Sequence, residues 1–237
     1  MKNYLYSNLK DTDFTTKIIE KLKQMNVVGI IVDFEPSDTL CARLRAGGIT
    51  ENYYVLKLWR KETMEQIEVR VKKARECGFF GIAIDSEPYS IGEPPIPVDL
   101  WVNKDESYRL GRNLGKIIKD NFDGEPILYP EGILFDHMDK YMYWYQFYDG
   151  LFVAGLNPTI FMERCYNQWE PWNIWYFYLS VKRWASGKVV MGTWQTSFKE
   201  RWKSWVQAKF SRLFGERFLY TEETEYPIDE FYSKIAR

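Results

Sequence analysis

A strand, a helix and a second strand follow one another in the stretch YYVLKLW at 53–59, ETMEQIEVRVKKAREC at 62–77 and FFGIAID at 79–85. Both outer segments are rich in β-branched and aromatic residues, which favour strands. The middle segment has one apolar face, because its apolar residues recur at spacings of three and four: Met64, Ile67, Val71 and Ala74. Gly78 stands where a glycine ends a helix. The stretch therefore predicts a β-α-β unit.

The same alternation extends in both directions along the chain. Strands are predicted to start near residues 3, 27, 53, 79, 126, 150, 188 and 217. Apolar runs such as 27–32 are typical of strands buried on both faces, as in a parallel sheet. Eight strand–helix units in a chain of 237 residues predict a (β/α)8 barrel of the TIM type. A doubly wound open sheet is the alternative, and the short first strand at 3–6 leaves seven strands with an open edge as a further one.

Helices are predicted between these strands, and no linker or low-complexity tract divides them. We therefore expect residues 1–237 to form a single (β/α)8 domain. The predicted helices span 13–25, 62–77, 105–121, 136–147, 171–185, 198–214 and 228–236. The two longest strand-to-helix connections, 88–104 and 156–170, are expected at the carboxyl face of the barrel, where TIM-barrel active sites are built.

Composition excludes several classes of protein and leaves one excess to explain. The net charge of 32 − 33 = −1 argues against a nucleic-acid partner, and no apolar run approaches the ~20 residues that cross a membrane. Cys41, Cys77 and Cys165 are expected to be reduced and buried in a cytoplasmic protein. A secreted protein is the expectation if a signal peptide has been removed. Aromatic residues make up 18% of the chain, and we expect part of this excess to bind substrate.

Carboxylates follow several of the predicted strands. Asp33 and Glu35 follow the second strand, Asp85 and Glu87 the fourth, and Glu131 the fifth. A barrel mouth lined by carboxylates and aromatic rings suits carbohydrate, because rings stack on sugar faces and carboxyl groups act on glycosidic bonds. The expected partner is therefore a carbohydrate substrate.

Asp85 and Glu87 form the sharpest pair among these acids. Side chains two residues apart on an extended segment point the same way, so both would face the barrel axis. Two carboxylates held close together raise one pKa, which produces a general acid. The alternative is that the two acids cap the next helix or pair with a surface arginine.

The segment GFFGIAIDSE at 78–87 resembles the fourth-strand motif of chitinase-like family 18 glycoside hydrolases. The resemblance implies Glu87 as the catalytic acid and Asp85 as the residue that positions a substrate acetamido group. It departs at Phe80 and Ala83, where the family has acids, and it therefore favours the wider set of barrel glycosidases with Asp-x-Glu at a strand end.

A second carboxylate is required if no acetamido group takes part in the reaction. Glu131 and Glu35 are the first candidates, with Asp33 after them; Asp33 is otherwise assigned to substrate binding. The remaining predicted substrate-binding residues lie at strand ends or in the two long connections: Tyr89, Trp59, Tyr129, Asn157, Trp194, Gln195, Trp101 and Trp172.

The sequence thus predicts a glycoside hydrolase that cleaves an oligo- or polysaccharide without a cofactor or a metal. Nucleotide-binding glycine motifs are absent, and His137 is the only histidine, which excludes zinc sites built on several histidines. A sugar-binding barrel without catalysis and a carboxylate–metal lyase or hydrolase are the alternatives. Lys57 could form a Schiff base, although a paired or outward-facing lysine is the simpler interpretation.

Overall fold

The structure is a computed structural model. It describes residues 2–7, 10–32, 37, 39–58, 62–85, 104–123, 126–129, 144–162, 172, 175, 179, 189–194 and 216–221.

Eight parallel strands close into a barrel in which each strand pairs with its neighbours in chain order. β1 pairs with both β2 and β8, so the first strand closes the barrel and the open-sheet alternatives are excluded. The predicted (β/α)8 architecture is therefore confirmed. The strands are β1 Lys2–Ser7, β2 Val27–Val32, β3 Tyr53–Lys57, β4 Gly81–Asp85, β5 Ile127–Tyr129, β6 Thr159–Met162, β7 Val189–Trp194 and β8 Glu216–Thr221.

Helices pack around the outside of the barrel, and local sequence explains where they begin. The side chain of Thr63 accepts a hydrogen bond from the backbone N–H of Gln66, and the Gln66 side chain accepts one from the N–H of Thr63, so the first turn of α3 is capped reciprocally. Thr15 caps α1 in a similar way through the N–H of Ile18. The described helices are α1 Thr16–Gln24, α2 Leu40–Ala46, α3 Met64–Glu76, α4 Lys104–Asn121 and α5 Trp144–Val153.

Alternate strand residues separate into two buried clusters. The cluster inside the barrel contains Tyr4, Tyr6, Ile31, Tyr53, Val55, Ala83 and Ile127. The larger cluster lies between the strands and the helices, and in β3 and β4 it contains Tyr54, Leu56, Ile82 and Ile84. The alternation of period two therefore tells which side chains of β3 and β4 enter the barrel.

The predicted sixth strand at 150–155 was wrong. Gly150, Leu151 and their neighbours belong to α5, and Gly155 ends this helix with a φ of +86°. The N–H of Gly155 donates to the carbonyl of Phe152, as at many helix C-termini that end in glycine. The strand follows one turn later as β6. Of the helix predicted at 136–147, residues 144–147 are helical and belong to α5, and residues 136–143 lie outside the described residues.

The apolar composition of this segment has a different cause, which is close packing between α4 and α5. A Cβ atom on Gly111 would lie 1.9 Å from the carbonyl oxygen of Phe147, and one on Gly150 would lie 2.2 Å from the carbonyl oxygen of Tyr108. The two helices therefore approach through their backbones. Phe147, Tyr148 and Leu151 are buried against this contact, so a helix carries the apolar run that resembled a strand.

For three further predictions, the structure describes only some of the residues concerned. Trp172, Trp175 and Leu179 are helical, as predicted for 171–185, whereas the predicted helices at 198–214 and 228–236 lie outside the described residues. Cys41 and Cys77 are free and buried, as predicted, and Cys165 lies outside the described residues. Among the described helices, none is long and apolar enough to cross a membrane.

Candidate active site

The carboxyl ends of the strands form one mouth of the barrel, and two charged side chains enter it from neighbouring strands. Lys57 is the last residue of β3, and Asp85 is the last residue of β4. Val55 and Ala83, two residues earlier on the same strands, belong to the cluster inside the barrel. Because strand side chains alternate with period two, Lys57 and Asp85 face the barrel interior directly above Val55 and Ala83.

Lys57 and Asp85 also stand opposite each other in the parallel register of β3 and β4. Neighbouring strands lie about 4.8 Å apart, so the two side chains leave the sheet side by side. Asp85 is only 4% exposed, and Lys57 is half-buried. A charged group is costly to bury without a partner, and both residues have polar or electrostatic partners in the structure.

The floor beneath this pair is apolar and closely packed. Val55 and Ala83 are both fully buried, and Tyr53 and Ile127 lie in the same inner cluster. On the other side of Asp85, Tyr129 occupies the position in β5 that is in register with it. Three consecutive strands thus end in a lysine, an aspartate and a tyrosine at one level of the barrel.

A hydrogen-bonded cluster of Tyr54, Arg70 and Glu62 lies behind β3. The Arg70 guanidinium of α3 donates to both Glu62 carboxylate oxygens at 2.7 and 2.8 Å, and its Nε donates to the Tyr54 hydroxyl at 2.8 Å. Burial opposes the charge on Arg70, but its bonds with Tyr54 and its attraction to Glu62 hold its pKa above the usual value. The cluster therefore joins Glu62, just before α3, to the outer face of β3 through Arg70.

Asp85 is the one predicted catalytic residue whose surroundings the structure describes. Its burial and its inward position at the end of β4 agree with the placement expected from the sequence. The other predicted catalytic residues lie outside the described residues: Glu87, Glu131 and Glu35. Five predicted substrate-binding residues also lie outside them: Asp33, Tyr89, Trp59, Gln195 and Trp101.

The remaining predicted substrate-binding residues are spread over different parts of the fold. Tyr129 and Trp194 end β5 and β7 at the carboxyl mouth. Trp172 is 82% exposed on a helical turn. The placement of Asn157 after a sixth strand was wrong, because Asn157 precedes β6 and therefore lies at the amino end of the barrel. The cause is the same apolar segment of α5 that resembled a strand.

Lys57 is the candidate residue that the sequence pattern indicated least. A paired or outward-facing lysine was the simpler expectation. The alternation of β3 places Lys57 inside, which excludes the outward-facing option, and its register with Asp85 is compatible with pairing. The evidence in the sequence is the apolar run Tyr53–Leu56 that Lys57 ends, but only the register with β4 reveals its position beside Asp85. Within the described part of the chain, no three His, Cys, Asp or Glu side chains lie together as metal ligands would.

Comparison with known proteins identifies the architecture and no closer family. No protein-family model matches the chain. No curated protein sequence is significantly similar to it.

Solved structures match over nearly the whole chain. Deoxyribose phosphate aldolase from Aeropyrum pernix matches 98% of this chain and 89% of its own, with 11% identity and a TM-score of 0.58. D-psicose 3-epimerase from Clostridium cellulolyticum matches 94% and 85%, with 12% identity and a TM-score of 0.56. A structure from Burkholderia cenocepacia described as a phosphonomutase matches 98% and 91%, with 10% identity and a TM-score of 0.56.

These matches correct the functional prediction. The similar structures are an aldolase, an epimerase and a mutase, and none of the three is a glycoside hydrolase or a chitinase. The predicted O-glycosyl hydrolase is therefore overturned, and the resemblance of residues 78–87 to family 18 finds no support in these folds. At identities of 10–12% the similarity establishes the fold alone. The chain is a (β/α)8 TIM barrel.

Proposed function

We propose that this chain is a lyase or an isomerase that acts on a small carbonyl compound at the carboxyl mouth of the barrel. One observation carries the proposal: Lys57 and Asp85 stand side by side on the inner face, at the ends of β3 and β4. TIM-barrel active sites are built at this end of the strands. The carboxylate–metal lyase that the sequence left as an alternative belongs to the same broad class.

The chemistry of the pair supports this class of reaction. Cleavage or epimerisation next to a carbonyl group requires a base that takes a proton and a positive group that stabilises the charge developing on the carbonyl oxygen. Asp85 supplies a buried carboxylate for the proton, and Lys57 supplies the positive charge within reach of the same substrate. The named neighbours are an aldolase, an epimerase and a phosphonomutase, and their fold-level likeness supports a lyase or isomerase.

A divalent cation is the alternative source of positive charge. Mg²⁺ prefers oxygen ligands, and Asp85 offers one at the mouth. Asp33 and Glu131 remain sequence-based candidates to complete such a site. Adding and then removing a chelator distinguishes the two arrangements, because a reaction that depends only on side chains survives the chelator.

The test is loss of a proton next to the carbonyl group, which lyases and isomerases of this type share. The purified protein is incubated in D₂O with ketoses, aldoses, their phosphate esters and 2-keto acids, and proton NMR follows exchange at the carbon beside the carbonyl. We expect exchange with at least one compound and a loss of about a thousandfold in the variant Asp85→Asn. Asp123→Asn, which changes an exposed carboxylate after α4, is the matched control and should exchange at the wild-type rate.

Two results would contradict the proposal. One is the absence of exchange, cleavage and isomerisation across the whole panel with folded protein. The other is an Asp85→Asn variant that exchanges as fast as the wild type. A folded state for the variant is verified by circular dichroism before either rate is interpreted.

A further inference from the structure

We propose that Lys57 is a covalent catalyst that forms an iminium ion with the carbonyl carbon of the substrate. This inference rests on the proposed function and deepens it, because it names the nucleophile and the substrate class. The substrate would be a small aldehyde or ketone that enters the mouth above Val55 and Ala83.

The position of Lys57 meets the geometric requirements for such a nucleophile. Its side chain leaves the last position of β3 towards the barrel interior, so its ammonium group faces the mouth and not the helices. The half-buried state limits water around the group, and the packed floor blocks access to the amine from the amino end. A carbonyl compound can therefore reach the amine from one side only.

Asp85 supplies the proton transfers that amine addition needs. It first takes a proton from the Lys57 ammonium, and the neutral amine attacks the carbonyl carbon, forming the C–N bond while the C=O π bond breaks. The oxygen takes that proton back from Asp85, and Asp85 next takes a proton from the attached nitrogen. Asp85 then protonates the hydroxyl, which leaves as water. The products are the iminium, water and the Asp85 carboxylate, so charge and atoms balance without another reactant.

The iminium then acts as a strong electron sink. The carbon next to it can lose a proton to Asp85, or the adjacent carbon–carbon bond can break, and in either case the electron pair moves towards the positive nitrogen. Protonation of the resulting enamine and attack by water on the iminium release the product and restore Lys57. No metal takes part in these steps.

Several contacts hold Lys57 and Asp85 in position. Lys57 and Asp85 are held in register by the β3–β4 ladder, which runs unbroken from Tyr53–Gly81 to Lys57–Asp85. Leu56 and Ile84, the preceding residues, are almost fully buried between the strands and the helices. The Arg70–Glu62–Tyr54 cluster joins α3 to the outer face of β3. Such preorganisation is what an addition reaction between fixed partners requires.

Reductive trapping tests the covalent step directly. The protein is incubated separately with pyruvate, dihydroxyacetone and acetaldehyde in the presence of sodium cyanoborohydride, and peptide mass spectrometry maps the adducts. We expect with at least one probe a modification at Lys57, heavier by the mass of the probe less one oxygen atom. The adduct at this site should disappear in Lys57→Arg and persist in Lys116→Arg, a control on an exposed position of α4.

Trapping also separates this inference from the proposed function. A wild-type protein that exchanges protons in D₂O but shows no adduct at Lys57, or adducts spread equally over exposed lysines, would overturn the iminium while leaving the proposed function intact. Exchange that continues in Lys57→Arg and stops with a chelator would do the same. If Lys57→Arg fails to fold, Lys57→Met is used, and the wild-type adduct map by itself still decides the outcome.

Discussion

The two ends of the barrel both contain polar side chains, but they use them differently. At the amino end, Asn52 is 1% exposed, its side-chain oxygen accepts from the Ile30 N–H at 3.1 Å, and its amide donates to the Ile49 carbonyl at 3.0 Å. Asn3 likewise donates to the Met25 carbonyl. These amides satisfy backbone groups in β2 and in the segments that precede β2 and β3, and they stabilise the fold. At the carboxyl end, Lys57 and Asp85 carry opposite charges in register across two strands.

Because of this difference, substitutions at the two ends should affect different properties. Uncharged amides bonded to backbone have no proton to transfer and no nucleophile, so changes at the amino end should alter stability and leave the chemistry of folded molecules intact. A lysine and a buried carboxylate can transfer protons, and a lysine amine can also act as a nucleophile. The division agrees with the general separation in TIM barrels between a stabilising amino face and a catalytic carboxyl face.

The largest effect on stability is expected from Gly29→Ala in β2, at the amino end. A Cβ atom there would lie 1.8 Å from the backbone carbonyl oxygen of Glu51 and 2.9 Å from the Tyr4 ring, so backbone must move. We expect a loss of about 3 kcal/mol or more in the free energy of unfolding, measured by urea denaturation. Thr50→Ala, at an exposed position nearby, is the control. An unchanged urea midpoint would mean that β2 and the segment before β3 are farther apart than described.

A smaller loss is expected from Asn52→Ala. The substitution leaves the Ile30 N–H and the Ile49 carbonyl without these partners in a buried setting, which costs about 2–4 kcal/mol. Proton exchange per folded molecule should stay at the wild-type rate. Asn113→Ala, on the exposed side of α4, serves as the matched control for loss of an amide. A large fall in the exchange rate with stability unchanged would reverse the assignment of roles to the two ends.

The smallest effect is expected from Arg70→Lys, behind the carboxyl end. Lysine keeps the charge but cannot bond both Glu62 oxygens and the Tyr54 hydroxyl in one plane. We expect a loss of about 1–2 kcal/mol in unfolding free energy and less than about a tenfold fall in exchange rate. Arg109→Lys changes an exposed arginine paired with Glu106 and should have almost no effect. Equal losses of unfolding free energy in the two variants would contradict the anchoring role of Arg70.

Most of the strands could be predicted from the sequence because buried parallel strands are short, apolar and bounded by helices with one apolar face. β3, α3 and β4 lie within two residues of their predicted ends. The prediction failed at 150–155, where burial against another helix produced the same apolar run as burial in a sheet. Composition over six residues cannot distinguish these two environments, although Gly155 with its positive φ is typical of a helix end.

The candidate site was less predictable than the fold. The sequence identified Asp85 through its spacing from Glu87 and its place after an apolar run, but it attached the pair to sugar chemistry. Lys57 looked like an ordinary lysine because its importance depends on a neighbour 28 positions later in the chain, as the register Lys57↔Asp85 gives it. The charged side chains of Lys57 and Asp85 form a candidate site only because the fold places β3 and β4 side by side.

The pairing of β1 with β8, which the sequence left open, closes the barrel. From its local patterns the sequence predicted most of the strands and helices and the acid at the end of β4. These follow from local patterns of burial, since period two and period 3.6 are written in consecutive residues. Only the tertiary structure decided where β6 begins, that Asn157 lies at the amino end, and that Lys57 faces inward beside Asp85. Helix–helix contacts and strand register bring together residues that are distant in the chain, and a local sequence pattern carries no information about which distant residues meet.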